Sequence, residues 1–229
     1  MPVALITGAS KGLGRALARG LAERGWALVL DARDAEALEK VARELPTAVA
    51  VAGDVTDARH REALAAAVRD VGRLDLLVNN ASYLGPSPMP SLAEYPLDEL
   101  ARVYEVDVIA PLALTQGVLP LLAERAAVVN VSSDAAVAPY EGWGGYGSAK
   151  AALDHLTAIL GAEQPGYFVY AVDPGDMRTE MHQAAFPGED ISDRPAPEAI
   201  VPALLRLLDE RPPSGRYRAS DYSVVAAAR

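Results

Sequence analysis

The sequence predicts an α/β fold, a doubly wound parallel sheet of about seven strands with helices on both faces. Three observations carry that prediction. Short apolar runs alternate with helix-periodic stretches along almost the whole chain. A glycine-rich turn follows the first run at once, where a helix opens. The 229 residues, 51% of them hydrophobic, suit one domain over 1–229, with no internal repeat and no low-complexity linker.

The first run, Val3–Ile6, reads as a buried strand ending in Thr7-Gly8-Ala9-Ser10-Lys11-Gly12-Leu13-Gly14. Leu13, Leu17 and Leu21 then recur on one helical face, with Gly25 placed to stop the helix. Ala27–Leu30 is the second strand; behind it, Asp34 can cap a helix striped by Leu38, Val41 and Leu45, which Pro46 ends. Ala48–Ala52 is the third strand, followed by a helix behind Thr56 with Leu64, Val68 and Val71 on one face. Leu74–Val78 is the fourth, and a long helical region from about Leu97 to Leu122 follows, with a kink expected at Pro111. Val128–Val131 and Phe168–Val172 are the fifth and sixth strands, separated by a helix from near Tyr146 to about Leu160. The stretch Glu180–Pro197 breaks the rhythm with acids, prolines and a glycine, and reads as a substrate loop or lid before a helix around Glu198–Leu208. A last strand is expected near Tyr217–Ala219.

Composition excludes several functions. A net charge of −10 without a basic cluster argues against nucleic acid as a partner. The absence of cysteine removes disulfide and thiolate chemistry. Met1–Ile6 has neither a basic start nor a cleavable apolar region, and no apolar run is long enough to span a bilayer. No metal-ligand cluster is apparent. A cytoplasmic protein with a small-molecule substrate, and no membrane partner, is the expectation.

Two motifs carry chemistry. Glycines in the first turn let the backbone bend tightly and approach a pyrophosphate, whose charge the helix N-terminus favours. The spacing is Gly-x-x-x-Gly-x-Gly, distinct from the Gly-x-Gly-x-x-Gly dinucleotide fingerprint. Tyr146 and Lys150, four apart, share a helix face. An adjacent cation favours the phenolate, so the tyrosine pKa is expected to fall below its usual value near 10, fitting Tyr146 for proton transfer near neutral pH. Alone, such a pair is most often an ordinary half-exposed helix face.

Together, Thr7–Gly14, Asn79-Asn80-Ala81, Ser133, Tyr146-x-x-x-Lys150 and Pro174-Gly175 resemble, in order and spacing, the short-chain dehydrogenase/reductase family in its compact single-domain form. Ser133 lies thirteen residues before Tyr146, a spacing found in many members. The resemblance implies a Rossmann-type sheet and an NAD(P)-dependent oxidoreductase. Such an enzyme would reduce a small, mostly apolar ketone or aldehyde, or oxidise the matching alcohol, by hydride transfer. A silent dinucleotide-binding sensor, and imine or enone reduction on the same scaffold, are the alternatives.

Residue roles follow from the same resemblance. Tyr146 would be the acid/base, Lys150 would lower its pKa and hold the nicotinamide ribose, and Ser133 would bond the developing oxyanion. Asp107 completes the implied catalytic set. It stands where relatives carry an asparagine whose backbone helps hold a relay water, and its carboxylate, if close, would raise the Lys150 pKa. Ser82 stands where a glycine is usual, and Ser132 is out of register, a backbone partner.

For the cofactor, Gly8, Ser10, Lys11, Gly12, Leu13 and Gly14 form the phosphate turn. Arg33 falls where NADP-type relatives carry their arginine. Asp31 precedes the position of the NAD-type acid, held here by Ala32, and is expected to point away. NADP(H) is therefore implied as preferred, with NAD(H) second. Asp54 and Val55 would contact adenine, Asn80 and Ala81 the ribose side, and Pro174, Gly175, Met177 and Thr179 the nicotinamide end. Leu84, Tyr140, Trp143 and Met181, with Tyr83, His182 and Phe186, are the substrate candidates. A homodimer or homotetramer is implied.

Overall fold

Seven strands form one all-parallel sheet in the computed structural model, which describes residues 1–223. They are β1 (Val3–Ile6), β2 (Ala27–Ala32), β3 (Ala48–Ala52), β4 (Leu74–Asn79), β5 (Leu122–Val131), β6 (Phe168–Asp173) and β7 (Gly215–Arg218). Their order is β3-β2-β1-β4-β5-β6-β7. Every residue of β1 and β2 is buried, which is why these strands are continuous apolar runs rather than alternating ones. The edge strands β3 and β7 are only half-buried.

The helices are α1 (Gly12–Glu23), α2 (Ala35–Arg43), α3 (Ala58–Val71), α4 (Leu97–Tyr104), α5 (Ala110–Val118), α6 (Gly144–Glu163), α7 (Glu180–Ala185) and α8 (Val201–Glu210). On one face of the sheet, Leu13, Leu17 and Leu21 of α1 pack with Leu38 of α2 and with Leu204 and Leu207 of α8. On the other, Leu64 and Val68 of α3 meet Leu114 and Val118 of α5. Each fully buried leucine contributes roughly 1.5–3 kcal/mol relative to exposure.

Four boundaries differ from the expected ones, each for a local reason. The cap of α3 is Asp57, whose carboxylate accepts the Arg59 N–H; Thr56 is instead occupied by Asp54. The long helix breaks before Pro111 rather than at it: Glu105–Ile109 forms a π turn in which Ala110 N–H reaches back to the Glu105 carbonyl. Pro111 has no N–H to offer the Asp107 carbonyl, and the extra residue in the π turn accommodates its ring. Strand β5 starts at Leu122, well ahead of Val128. Its first residues are hidden in the sequence by the charged pair Glu124-Arg125, by the left-handed backbone of Arg125 and by a register shift against β4. The last strand lies slightly earlier than expected, and Ala219 already begins a short 3-10 turn.

The strand order reverses between β1 and β4, which pair directly through Ala4–Leu76, Leu5–Leu77 and Ile6–Val78. Connections from these two strands leave in opposite directions, opening a crevice at their carboxyl ends where ligands bind in open α/β sheets.

Candidate active site

That crevice is built first from the turn after β1. Gly8 and Gly12 have left-handed backbones, with φ of 66° and 56°. A Cβ on Gly8 would lie 2.9 Å from the Ala81 Cα, and one on Gly14 only 2.5 Å from the Gly8 carbonyl oxygen. The turn is thus closed against the loop after β4 and against its own helix. Asn80 locks it from outside: its side-chain amide donates to the Thr7 and Gly8 carbonyls at 2.8 and 3.2 Å. The Thr7 hydroxyl accepts both the Asn80 and Ala81 N–H groups at 3.0 Å. Asn79 faces away, bonded to Asn130 and Thr115 within the sheet.

A cleft of about 530 Å³ opens over this turn. Gly8, Ser10, Lys11, Gly12 and Leu13 line its floor, and Asp54, Val55, Asn80 and Ala81 its far wall. Gly14 is not part of the wall; it supports the turn from beneath through the Gly8 carbonyl. Arg33 lines the cleft at the end of β2; burial would raise the Asp54 carboxyl, but the Thr56 hydrogen bonds, helped by the Arg33 charge, more than offset it and hold it below its ordinary value. Arg15, unmarked by sequence reasoning, is a second cation there, with its Nε buried and unpartnered. Lys11 is exposed and ion-paired with Glu180 across the cleft mouth. Asp31 turns inward: its carboxylate meets His60 Nε2 at 2.6 Å, both groups buried, and burial is what holds its pKa up against the pull of His60. A glycine cradle that a Cβ would fill, a helix N-terminus and the cations Arg15 and Arg33 fit a nicotinamide dinucleotide.

A smaller cavity, about 90 Å³, adjoins the cleft and shares Tyr146, Met177, Thr179 and Met181 with it. Leu84, Trp143, Ser133, Asp134 and His182 complete much of its wall, and Pro174 and Gly175 lie here rather than on the cofactor cleft. Trp143 packs edge-on to Tyr146 at 5.9 Å and against Phe186 at 5.8 Å. Tyr140 is a correction: it stands outside this wall, half exposed, its ring on Trp143 and its hydroxyl donating to Asp134 at 2.9 Å. Tyr83 is also diverted, bonded to Glu99 and stacked under Arg102. Ser133 donates to Asp134 at 3.1 Å and accepts the Ala135 N–H. Ser132 does use its backbone, donating to the Val172 carbonyl, while its buried hydroxyl has no partner. Arg216 of β7 was invisible in the sequence: it donates to the Ser133 carbonyl at 2.9 Å and pairs with Asp154 and Asp173.

Tyr146 and Lys150 are both buried on α6, with Lys150 Nζ 5.4 Å from the phenol ring centroid. Lys150 donates to the Val131 carbonyl at 3.0 Å and pairs with Asp107 at 2.9 Å. Asp107 is fully buried at the π turn and also accepts the Ser82 hydroxyl and, at 3.1 Å, the Tyr83 N–H. Burial would lower the Lys150 pKa, but the charges of Asp107 and Tyr146 more than offset it, and it stands above its ordinary value. The expected fall in the Tyr146 pKa is not what this site gives. Burial pushes the phenol up, Lys150 pulls it back, and Asp107 pushes it up again, leaving it above 10.0. Among the described residues, no group of three or more His, Asp or Glu side chains is placed to hold a metal ion.

Fold, phosphate turn and a buried Tyr–Lys pair beside it define a nicotinamide-dinucleotide enzyme of the α/β class. The short chain dehydrogenase family model matches residues 2–190, and the chain belongs to that family. It is an oxidoreductase acting on CH–OH or C=O groups with NAD(P). Sepiapterin reductase of Rattus norvegicus is 35% identical over 201 residues, 80% of this chain and 77% of that protein. A short chain dehydrogenase from Pseudomonas syringae superposes with a TM-score of 0.90 at 34% identity, covering 95% of this chain and 94% of that one. Another, from Shigella flexneri in complex with NADP, gives 0.87 at 30% identity over 96% and 97% of the two chains.

Proposed function

We propose that the protein is an NADPH-dependent carbonyl reductase, with Tyr146 as general acid and a small carbonyl compound with an aromatic or apolar body as substrate. The observation that carries this is the meeting of Tyr146, Ser133 and the aromatic wall of Trp143 in a cavity that opens directly onto the cofactor cleft. Arg33 and Arg15 support NADPH over NADH, and a solved relative is complexed with NADP.

When bound, the reduced nicotinamide supplies hydride to the carbonyl carbon. The chain's own residues do the rest. Ser133 Oγ, anchored by the Ala135 N–H, turns its single O–H from Asp134 to the substrate oxygen as negative charge develops there. Tyr146 gives that oxygen a proton. Trp143, Leu84 and Met181 exclude water and orient the apolar body, and Glu180–Pro197 acts as a lid within a single catalytic domain, with Met177 and Thr179 bridging both cavities. The same reading carries a cytoplasmic homodimer or homotetramer; among the described residues no helix is long and apolar enough to cross a membrane.

The test is NADPH oxidation across aromatic and aliphatic ketones and aldehydes, isatin among them. Turnover with at least one, lost about 10²–10⁴-fold in Tyr146→Phe while NADPH still binds, is the expected result. Near-normal turnover in that variant would sink the acid role.

A further inference from the structure

Two departures from the family pattern, Ser82 for glycine and Asp107 for asparagine, touch each other. Twenty-five residues apart in sequence, they are joined by a direct hydrogen bond from the Ser82 hydroxyl to the same Asp107 oxygen that pairs with Lys150. Asp107 comes from the π turn, Ser82 from the loop after β4, and Lys150 from α6, so three separate segments converge on one carboxylate. Asp107 lies behind the wall of the cleft with no exposed surface, while Lys150, 2% exposed, and the partly buried Ser82 belong to the wall itself. Ser82 gives its one hydroxyl proton to the Asp107 carboxylate and so pins it against Lys150.

We infer that Asp107 and Ser82 form one positioning unit that ties up the charge of Lys150 and keeps Tyr146 protonated, so that the site acts as a general acid for carbonyl reduction across neutral and mildly alkaline pH. This rests on the carbonyl-reductase reading above. A lone ammonium beside the phenol would favour the phenolate, the form needed to take a proton from an alcohol. With a buried carboxylate at 2.9 Å the ammonium and carboxylate nearly cancel as seen from the ring, and burial then decides in favour of the neutral phenol. The groups facing Tyr146 are consistent with this balance. Lys150 stands on its own helix, Asp107 on the π turn and Asp134 on the turn after β5, with Asp173, Asp176 and His182 around the adjoining cavity. Asp173 is already paired with Arg216 and Asp176 with Arg194, so the charges that act on the phenol are Lys150, Asp107 and Asp134. Lys150 itself also feels Asp154, four residues on along α6.

The test is the pH dependence of isatin reduction by NADPH in Asp107→Asn and Ser82→Gly. A parallel titration of the phenolate absorbance is made in the cofactor-free proteins, each read as a difference from its Tyr146→Phe counterpart. General acid activity falls as pH rises through the Tyr146 pKa. Asp107→Asn frees the lysine charge, so its alkaline limb and its phenolate titration should both move down by about one pH unit or more. Ser82→Gly removes the hydroxyl that holds Asp107 against Lys150, so both should also move down, by less than in Asp107→Asn. Graded displacements in one direction, with the fold intact, are something a purely structural role would not produce. An unmoved limb and titration in Asp107→Asn overturns the inference; if that variant does not fold, an unmoved or raised titration in Ser82→Gly does so. Failure of every carbonyl compound to oxidise NADPH would sink the activity reading instead, while the cofactor-free titration still judges the positioning unit.

Discussion

Adding one methyl group to Gly14 sets two effects against each other, and the geometry says which wins. Gly14 lies in the first turn of α1, where Gly→Ala ordinarily stabilises by about 0.5–1 kcal/mol through backbone entropy. Its Cβ, however, would sit 2.5 Å from the Gly8 carbonyl oxygen and 2.6 Å from Asn80 Nδ2, where ordinary contact begins at 3.4 Å. The shortfall of 0.9 Å, 3.4 minus 2.5, must be absorbed by the turn backbone, because Asn80 is itself bonded to the Thr7 and Gly8 carbonyls. Overpacking of that kind costs about 1–3 kcal/mol. The net expectation for Gly14→Ala is a loss of about 1–2 kcal/mol, or a Tm fall of roughly 3–6 °C for a chain of this size. NADPH affinity should fall about tenfold or more, since a displacement near 1 Å removes the backbone N–H groups from phosphate distance. Gly117 in α5 is the control: nothing lies within 4 Å of its Cβ position, so Gly117→Ala should raise Tm by roughly 2 °C and leave NADPH binding alone. The assays are thermal unfolding and calorimetric titration with NADPH. Wild-type Tm and wild-type NADPH affinity in Gly14→Ala would refute the close-approach reasoning.

Arg33→Ala should weaken NADPH binding about 10–100-fold and leave NADH binding within about twofold, as for loss of a charge-assisted phosphate contact; equal losses for both cofactors would remove Arg33 from the ribose phosphate. Lys150→Met leaves Asp107 buried without its cation, a change that costs about 3–5 kcal/mol and roughly 10 °C in Tm, whereas Lys150→Met combined with Asp107→Leu should recover most of it. Because the folded-state Lys150 pKa is raised above 10.5, its stabilising contribution is complete below the unfolded value and is lost as pH climbs through the raised one. Wild-type stability should therefore drop in that alkaline window more steeply than that of Lys150→Met, and parallel curves in denaturant titrations would contradict the pair's contribution.

Much of the site was legible because its signals are local. The phosphate turn, Arg33 and the Tyr146–Lys150 spacing each occupy one short segment, and the structure brings the turn, Arg33 and the pair into one cleft. Long-range pairings were not legible. The resemblance puts Asp107 within possible reach of Lys150 but says nothing of its bond to Ser82, because Pro111 sets the π turn that aims the carboxylate and Ser82 arrives from another loop. The fall expected for the Tyr146 pKa was a two-body argument about a site containing three charges. Asp57 took the cap of α3 because Asp54 had already claimed Thr56, and the start of β5 was masked by Glu124-Arg125. Tyr140 was aromatic and near in sequence, yet its hydroxyl found Asp134 and left the ring at the rim.

Arg216 reaches from the edge strand β7 to the Ser133 carbonyl while gripping Asp154 of α6 and Asp173 of β6. The edge strand is thereby wired to Ser133, the proposed oxyanion donor, so re-engineering β7 would be an intervention on the proposed turnover. A fusion or cleavage that frays β7 would register first as a slower reaction at a site across the intervening strand β6, before any loss of fold.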